Sequence, residues 1–466
     1  MSLRQRPTTQ PFASRTTSDS PSEQPTAPSS TPPSATIPNS VSTNPNTATR
    51  TIPRKGIRLN KVLGRIVPLI LLVYISYTYD LVVLRYAYQH LYIQQKRTLL
   101  PVLWLLPTHG LFFWSLRAYL RVFFAHSPPQ SNTSRGGVLA WLRTRLGASF
   151  PDPDAAQLEE QRMLKKSLST LAPNLDISIE LCQADGQPSR CFRDQCSGRP
   201  KPFRTRHCGD CRTCRVGFDH HCAWFDNDVT SPSTLRSFIF FLLSIPPLYL
   251  LGLGPLLPSA WMTLKRIHTF AATDTAIQLK WWGKWYSWIG GPAFRWMVGF
   301  GIAANSWAGS EVGKLPHQSP RAPVLVAFGA VFVFVATALA SSSLVHLKKG
   351  LLTVDVERAK AYRKLQRRLE KVQKEKDARV DVIKQRMEAL APTQHFKVRT
   401  TDIKSGETKQ QIVVLSVDQG LLDHGSLWTN IRRFLTSDNQ LKPAWTMSDT
   451  TLHKVLEKAS ILPPAQ

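Results

Sequence analysis

Four long apolar runs punctuate an otherwise polar chain. They are Ile66 to about Tyr86, Leu99 to about Phe124, Phe238 to about Met262 and Pro323 to about Val345. A helix needs about 20 residues to cross a hydrocarbon core, and each run reaches that length. Helices buried in a soluble core keep polar stripes, which these runs lack; their charges are Asp80 and Arg85 near the far end of the first and Arg117 and Arg121 at the close of the second. The pattern predicts a mainly α, polytopic membrane protein with four transmembrane helices. Residues 1–56 are Ser, Thr and Pro with almost no aromatics, a composition that cannot offset chain entropy and predicts disorder. No apolar stretch of the leader type precedes Ile66. The chain divides into five segments: the N-terminus 1–56, two spans in 57–125, a loop 126–236, two further spans in 237–347, and a tail 348–466.

Two segments between and beyond the spans carry their own patterns. The loop of residues 264–321 is rich in tryptophan (Trp281, Trp282, Trp285, Trp288, Trp296), as suits helices lying in a membrane interface. A fifth span through Phe294–Trp307 would place the charged tail outside the cell and is set aside. In the tail, Leu365, Leu369, Val372, Ile383, Met387 and Leu390 recur at spacings of three and four across 356–390, interrupted at Lys376. That predicts a charged helix, either a short coiled coil or a basic helix along an anionic leaflet.

The net charge of +28 fits nucleic acid or an anionic membrane surface equally well. The apolar runs decide for the membrane, and the position of the cations gives its sidedness. Arg54, Lys55, Arg58, Lys61 and Arg65 precede the first span, Arg117 and Arg121 close the second, and Lys348 and Lys349 come after the fourth. The positive-inside rule then makes both termini and the loop 126–236 cytosolic, and the Trp-rich loop lumenal despite its seven Lys and Arg.

All seven cysteines lie between Cys182 and Cys222, within that cytosolic loop. From Cys191 to Cys222 six cysteines interleave with histidines in 32 residues, which is metal-ligand spacing in a reducing compartment rather than a disulfide framework. One thiol stands next to a histidine in Asp219-His220-His221-Cys222, the arrangement of a nucleophile and its base. Cys182 has no partner at ligand spacing and reads as a buried or spare thiol. His90 and His109 read as packing or interface residues near span ends.

These residues resemble the DHHC palmitoyltransferases (protein S-acyltransferases). Lys201-Pro202-Phe203-Arg204-Thr205-Arg206-His207-Cys208 matches the Lys-Pro-x-Arg-x-x-His-Cys run of that family, and Asp219-His220-His221-Cys222-Ala223-Trp224 its signature. The resemblance covers the cysteine cluster, the four-span layout and part of the tail. It implies a small cytosolic cysteine-rich zinc domain (core 191–230) holding two structural zinc ions. One would sit on Cys191, Cys196, His207 and Cys214, the other on Cys208, Cys211, His221 and a fourth ligand. It further implies Cys222 as nucleophile, His220 as base and Asp219 as its orienter. The acyl donor would be palmitoyl-CoA, with Lys201, Arg204 and Arg206 toward its phosphates or simply solvated. The partners would be cytosolic-facing protein cysteines and the lipid bilayer, with no nucleic acid, and the membrane that of the endoplasmic reticulum or Golgi.

Several positions depart from the family pattern. Asp228 stands where the last zinc-ligating cysteine usually falls, so the second site is either completed by a carboxylate or weakened. Cys191 and Cys196 are separated by four residues rather than two, and Ala223, Thr230 and Ser233 replace Pro, Gly and Asn. In the tail, Leu352-Thr353-Val354-Asp355 is a degenerate Thr-Thr-x-Glu element, and Asp423–Phe434 resembles the Asn-containing element that packs on the active-site domain. The resulting expectation is an integral membrane S-palmitoyltransferase. The alternative is a catalytically weak, membrane-anchored zinc scaffold of the same fold.

Overall fold

A computed structural model describes residues 59–127, 137–315, 318–374, 379–422, 425–435 and 443–463. The expectations for residues 1–56, the interruption at Lys376, and Asp423 and His424 fall outside these. Helix α1 (Leu59–Tyr79) continues at wider π pitch through Asp80–Gln94, and α2 (Leu99–Phe123) returns. Then come α3 (Val138–Leu146), α4 (Pro153–Leu171) and strand β1 (Leu175–Cys182). Three short hairpins come next: β2 (Arg190–Cys191) with β3 (Arg199–Pro200), β4 (Arg206–Cys208) with β5 (Thr213–Arg215), and β6 (Phe218–Cys222) with β7 (Asn227–Thr230). Helices α5 (Leu235–Leu253), α6 (Leu257–Thr273), the single turn α7 (Thr275–Ile277), α8 (Gly291–Gly309) and α9 (Arg321–Lys348) lead to the tail. The tail comprises α10 (Thr353–Lys374), α11 (Val380–Leu390), β8 (Thr393–Asp402), β9 (Thr408–Ser416), α12 (Leu427–Leu435) and α13 (Asp449–Lys458).

Among the described residues four helical segments are long and apolar enough to cross a membrane: Ile66–Gln94, Leu99–Phe123, Leu235–Thr273 and Arg321–Lys348. They correspond to the four apolar runs. The third, at 39 residues, outlasts its apolar run because the chain re-forms as α6 after a single tight turn at Gly254–Leu256. Helix α2 packs on α5 and α5 on α9. Between the first two, Ser115 Oγ donates to Ser244 Oγ at 2.7 Å, an interhelical bond worth about 1 kcal/mol in a bilayer. His109 lies in the middle of α2 rather than near a span end, its Nδ1 donating to Leu105 O and its ring against Tyr79 and Phe113.

The segment between α6 and α9 is rich in short helices. Helix α8 covers Phe294–Trp307 and packs on α6 around Ile267, Ala271, Ile277 and Ala303; it is not among the four candidate spans. The Arg295 guanidinium lies 4.0 Å from the ring centre of Trp288, a cation–π contact that lets an arginine sit among exposed tryptophans.

Two features of the tail depart from the sequence reading. The charged stretch 356–390 is not one helix but two, α10 and α11, packed on each other, with Arg358 donating to the Ala389 carbonyl at 3.0 Å. Its apolar positions therefore serve contacts within the chain. The second feature is a three-stranded antiparallel sheet in the order β1-β8-β9, which the sequence analysis did not foresee. Ile177 and Ile179 alternate inward from β1, Phe396 and Val398 from β8, Val413 and Leu415 from β9. They are covered by Leu164 and Leu168 of α4 and by Leu452, Val455 and Leu456 of α13. Cys182, at the end of β1, is buried and unpaired as a thiol.

Candidate active site and metal centres

The three hairpins assemble two groups of four metal-binding side chains. Cys191, Cys196, His207 and Cys214 form one, and Cys208, Cys211, His221 and Asp228 the other; within each, all ligand atoms lie within 4.8 Å of one another. In the first group His207 faces Cys214 across the β4–β5 ladder. Its Nδ1 is 3.5 Å from Cys191 Sγ, 3.4 Å from Cys196 Sγ and 4.0 Å from Cys214 Sγ. Four bonds of about 2.0–2.3 Å to a tetrahedral cation give ligand–ligand edges of about 3.3–3.8 Å, so the donor set fits. The widened spacing does not open the site; it contributes a second contact. Asp194, one of the four residues between Cys191 and Cys196, places Oδ2 2.9 Å from His207 Nε2. A carboxylate on the far nitrogen of a ligating histidine fixes its tautomer and raises its basicity.

In the second group His221 faces Asp228 across the β6–β7 ladder, with Nδ1 3.0 Å from Asp228 Oδ1. Cys211 and Cys208 place their sulfurs 3.5 and 3.8 Å from the same nitrogen. Asp228 is wholly buried, and its second oxygen accepts from Arg215 Nε at 2.9 Å. Burial opposes the charge on Asp228, but hydrogen bonds from His221, Cys208 and Arg215 outweigh it and hold the carboxyl down to about 2. The residue at the position usually held by cysteine is thus an ionised oxygen donor aimed into the ligand group. Arg215 lies 4.1 Å from the centre of the Phe150 ring and donates to Ser127 Oγ at 2.6 Å.

Strand β6 separates His221 from His220 and Cys222 by simple alternation. Successive side chains on a strand point to opposite faces, so His221 turns into the metal group while His220 and Cys222 turn away. Cys222 belongs to neither four-residue group. It packs instead among Val122, Phe225, Phe238 and Ile239, at the mouth of the apolar helices. A register shift between Phe218 and His220 re-aims Asp219, whose Oδ2 lies 2.6 Å from His220 Nδ1. That contact leaves Nε2 as the nitrogen available to Cys222. Burial works against protonation of His220, yet hydrogen bonds to Asp219 and Cys222 prevail and lift it to about 10.

Three contacts hold this arrangement in place: two come from elements that the sequence analysis singled out, Leu352–Asp355 and Asp423–Phe434, and one, from Asn227, does not. Thr353 donates its N–H (2.6 Å) and its hydroxyl (3.0 Å) to the two oxygens of buried Asp219. The degenerate Leu352–Asp355 element therefore keeps a threonine on the orienting carboxylate, while Asp355 accepts from Leu352 N–H at 3.1 Å. Asn227, opposite Cys222 in the hairpin, points its amide at the carbonyls of Val122, Phe123 and Ala125 at 3.1, 3.1 and 2.8 Å. These carbonyls lie at the end of α2, where no further helical turn supplies partners, so the hairpin docks by capping a membrane helix. The third is Asn430 on α12, buried, with Nδ2 donating to the Lys348 carbonyl at 3.0 Å.

Lys201 and Arg206 are part-exposed, as binding to a soluble anion requires, but Arg204 is not available to one. The Arg204 side chain is buried, donates to the Gly350 and Leu422 carbonyls at 2.6 and 3.3 Å, and lies against Phe203 and Phe434. It fastens the metal domain to the turn after α9, which corrects its assignment to the acyl-donor site. Arg358 lies within reach of the Arg206 charge. Burial and the Arg206 charge together draw the Arg358 guanidinium down to about 10.

Residues 187–354 match the family model for DHHC palmitoyltransferases. Over 145 residues the chain is 32% identical to mouse palmitoyltransferase ZDHHC17, covering 30% of this chain and 19% of that protein. It is 30% identical to human palmitoyltransferase ZDHHC14 over 160 residues, 31% of each. A 30-residue stretch is 57% identical to zebrafish palmitoyltransferase ZDHHC16A, 6% of this chain and 8% of that one. Over residues 187–354 the chain is thus similar to the DHHC palmitoyltransferases, an acyltransferase family. It spans about a fifth of the length of ZDHHC17 and about a third of that of ZDHHC14.

Proposed function

We propose that this chain is an integral membrane protein S-acyltransferase that carries a fatty acyl group on Cys222. The observation that supports it most directly is that Cys222 lies outside both ligand groups, next to His220 and at the apolar mouth of the helices. His220 takes the Cys222 proton at Nε2, held in that tautomer by Asp219, which Thr353 in turn fixes. The thiolate attacks the acyl-CoA thioester carbon; the new C–S bond forms as the bond to CoA breaks, and the CoA sulfur leaves with the proton from His220. A substrate cysteine then gives its proton to His220 and attacks the acyl carbon; the new C–S bond forms as the bond to Cys222 breaks, and Cys222 departs as thiolate beside the protonated His220. One thioester replaces another at each step, so no external energy is needed.

Zinc is the metal suited to two closed sites of thiolate, imidazole and carboxylate; when bound it supplies shape rather than chemistry. Lys201, Arg206 and Arg358 form the cationic face for the CoA phosphates. Trp224 and Phe225 flank the nucleophile where a palmitoyl chain would enter the helices. Both termini and the site face the cytosol, in the endoplasmic reticulum or Golgi membrane, and substrates are cytosolic-facing protein cysteines.

Purified protein incubated with labelled palmitoyl-CoA should acquire hydroxylamine-sensitive label that Cys222→Ser abolishes. Label that survives the substitution would refute the carrier role. Wild-type protein with neither label nor CoA release would favour the anchored zinc scaffold.

A further inference from the structure

A groove of about 1630 Å³ opens between the ends of α2 and α5, helix α4 and the tail, lined by none of the metal-binding residues and by no member of the Cys222–His220–Asp219 group. Its contents are layered. On α2, Trp114, Arg117 and Arg121 lie three and four residues apart on one face, with the arginines beyond the tryptophan toward the metal domain. On α5, which runs the other way, Arg236 stands one turn before Phe240. The Trp114 and Phe240 rings stack at 5.4 Å, so an aromatic floor joins the two helices below three arginines. Lys166 of α4 adds a fourth cation from the facing wall.

These four cations have no ion-pair partner among the described residues, while other charged groups around them do have contacts. Glu159 meets Arg162 at 3.8 Å. Arg433 donates to the Pro443 carbonyl and lies in the field of Asp449. Ser231 and Ser237 also line the groove, together with His453. Cations above, aromatics below and a membrane helix on each side match the order of a lipid in the leaflet: phosphate at the interface, acyl chain along apolar side chains.

We infer that this groove binds the headgroup of an anionic glycerophospholipid, its phosphate among Arg117, Arg121, Arg236 and Lys166 and its chains over Trp114 and Phe240. The inference rests on the membrane placement proposed above but not on the acyl-transfer chemistry.

Native mass spectrometry of the delipidated full chain in detergent tests it, with phosphatidylserine or phosphatidylcholine added. Phosphatidylserine adducts should outlast phosphatidylcholine adducts. They should weaken at least tenfold in R117Q/R121Q/R236Q and persist in R117K/R121K/R236K and in Cys222→Ser. Retention by Cys222→Ser keeps the result separate from any failure of acyl transfer. Equal adducts in wild type and the glutamine variant would overturn the site, provided the metal content of both is unchanged. So would displacement of the lipid by glycerophosphoserine, by free CoA or by an acidic peptide at the same concentration. Those results would assign the groove to a soluble anion or to a protein segment.

Discussion

Thr353 meets Asp219 twice, by main chain and by hydroxyl, across a sequence distance of 134 residues. The first residues after the fourth apolar helix thus set the orientation of the carboxylate that holds His220. The metal-binding hairpins and the helix bundle are joined at the Asp219–His220 pair itself.

Thr353→Val should lower the rate of Cys222 acylation by about tenfold to a hundredfold, the usual effect of losing a contact that orients a functional group, while Thr353→Ser restores it. Thermal stability and metal content should stay near wild type in both. Single-turnover labelling reads the rate, and a loss of metal alongside the rate would show that the threonine acts on the fold instead.

Metal analysis separates a working second site from a weakened one. The two ligand groups predict two ions per chain, falling to one in Asp228→Ala and returning to two in Asp228→Cys. Chelation should unfold the hairpins, since the cysteine-rich segment has little apolar core of its own. Wild-type protein holding a single ion would place Asp228 outside the coordination sphere.

Gly350 should not tolerate a side chain. It has φ +69°, and a Cβ there would stand 2.3 Å from the Leu422 carbonyl that Arg204 also contacts. Gly350→Ala combines left-handed strain with a main-chain clash and should cost about 2 kcal/mol or more, seen as a lower melting temperature. Arg204→Gln should lower it as well. Lys201→Gln and Arg206→Gln should leave it unchanged and raise KM for acyl-CoA.

Glu160 gives the domain outside the apolar helices a pH dependence. Burial lifts its carboxyl to about 7, against opposing hydrogen bonds from the Phe203 and Met447 N–H groups. The folded chain holds this proton more tightly than the unfolded chain does. Its stabilising contribution is therefore complete below the unfolded pKa and is lost as pH rises through about 7. The loss is of order 3 kcal/mol at most. Melting temperature should fall between pH 5 and 8, and Glu160→Gln should flatten that slope.

The helices were legible because lipid demands long runs of one polarity, and Leu99–Phe123 and Arg321–Lys348 stand within a few residues of their apolar limits. The metal groups were legible because ligand chemistry permits few side chains. The tail was not. Ile177, Ile179, Phe396, Val398, Val413 and Leu415 alternate plainly, yet pairing β1 with β8 requires knowing that segments more than 200 residues apart meet. Arg204 misled for a related reason: an arginine in a basic run looks solvated until the carbonyls of Gly350 and Leu422 are brought to it from the tail. The split of residues 356–390 was masked because both helices keep the same three-and-four spacing.

Among the described strands β1 pairs only with β8, and β8 begins at Thr393. During synthesis, β1 must therefore wait for all the apolar helices, and for α10 and α11 after them, before it gains a partner. A ribosome that stops anywhere upstream of Thr393 would release a chain with its metal hairpins complete but the apolar underside of that strand bare. Quality-control machinery would see such a product even though Cys222 and both four-residue ligand groups were already made.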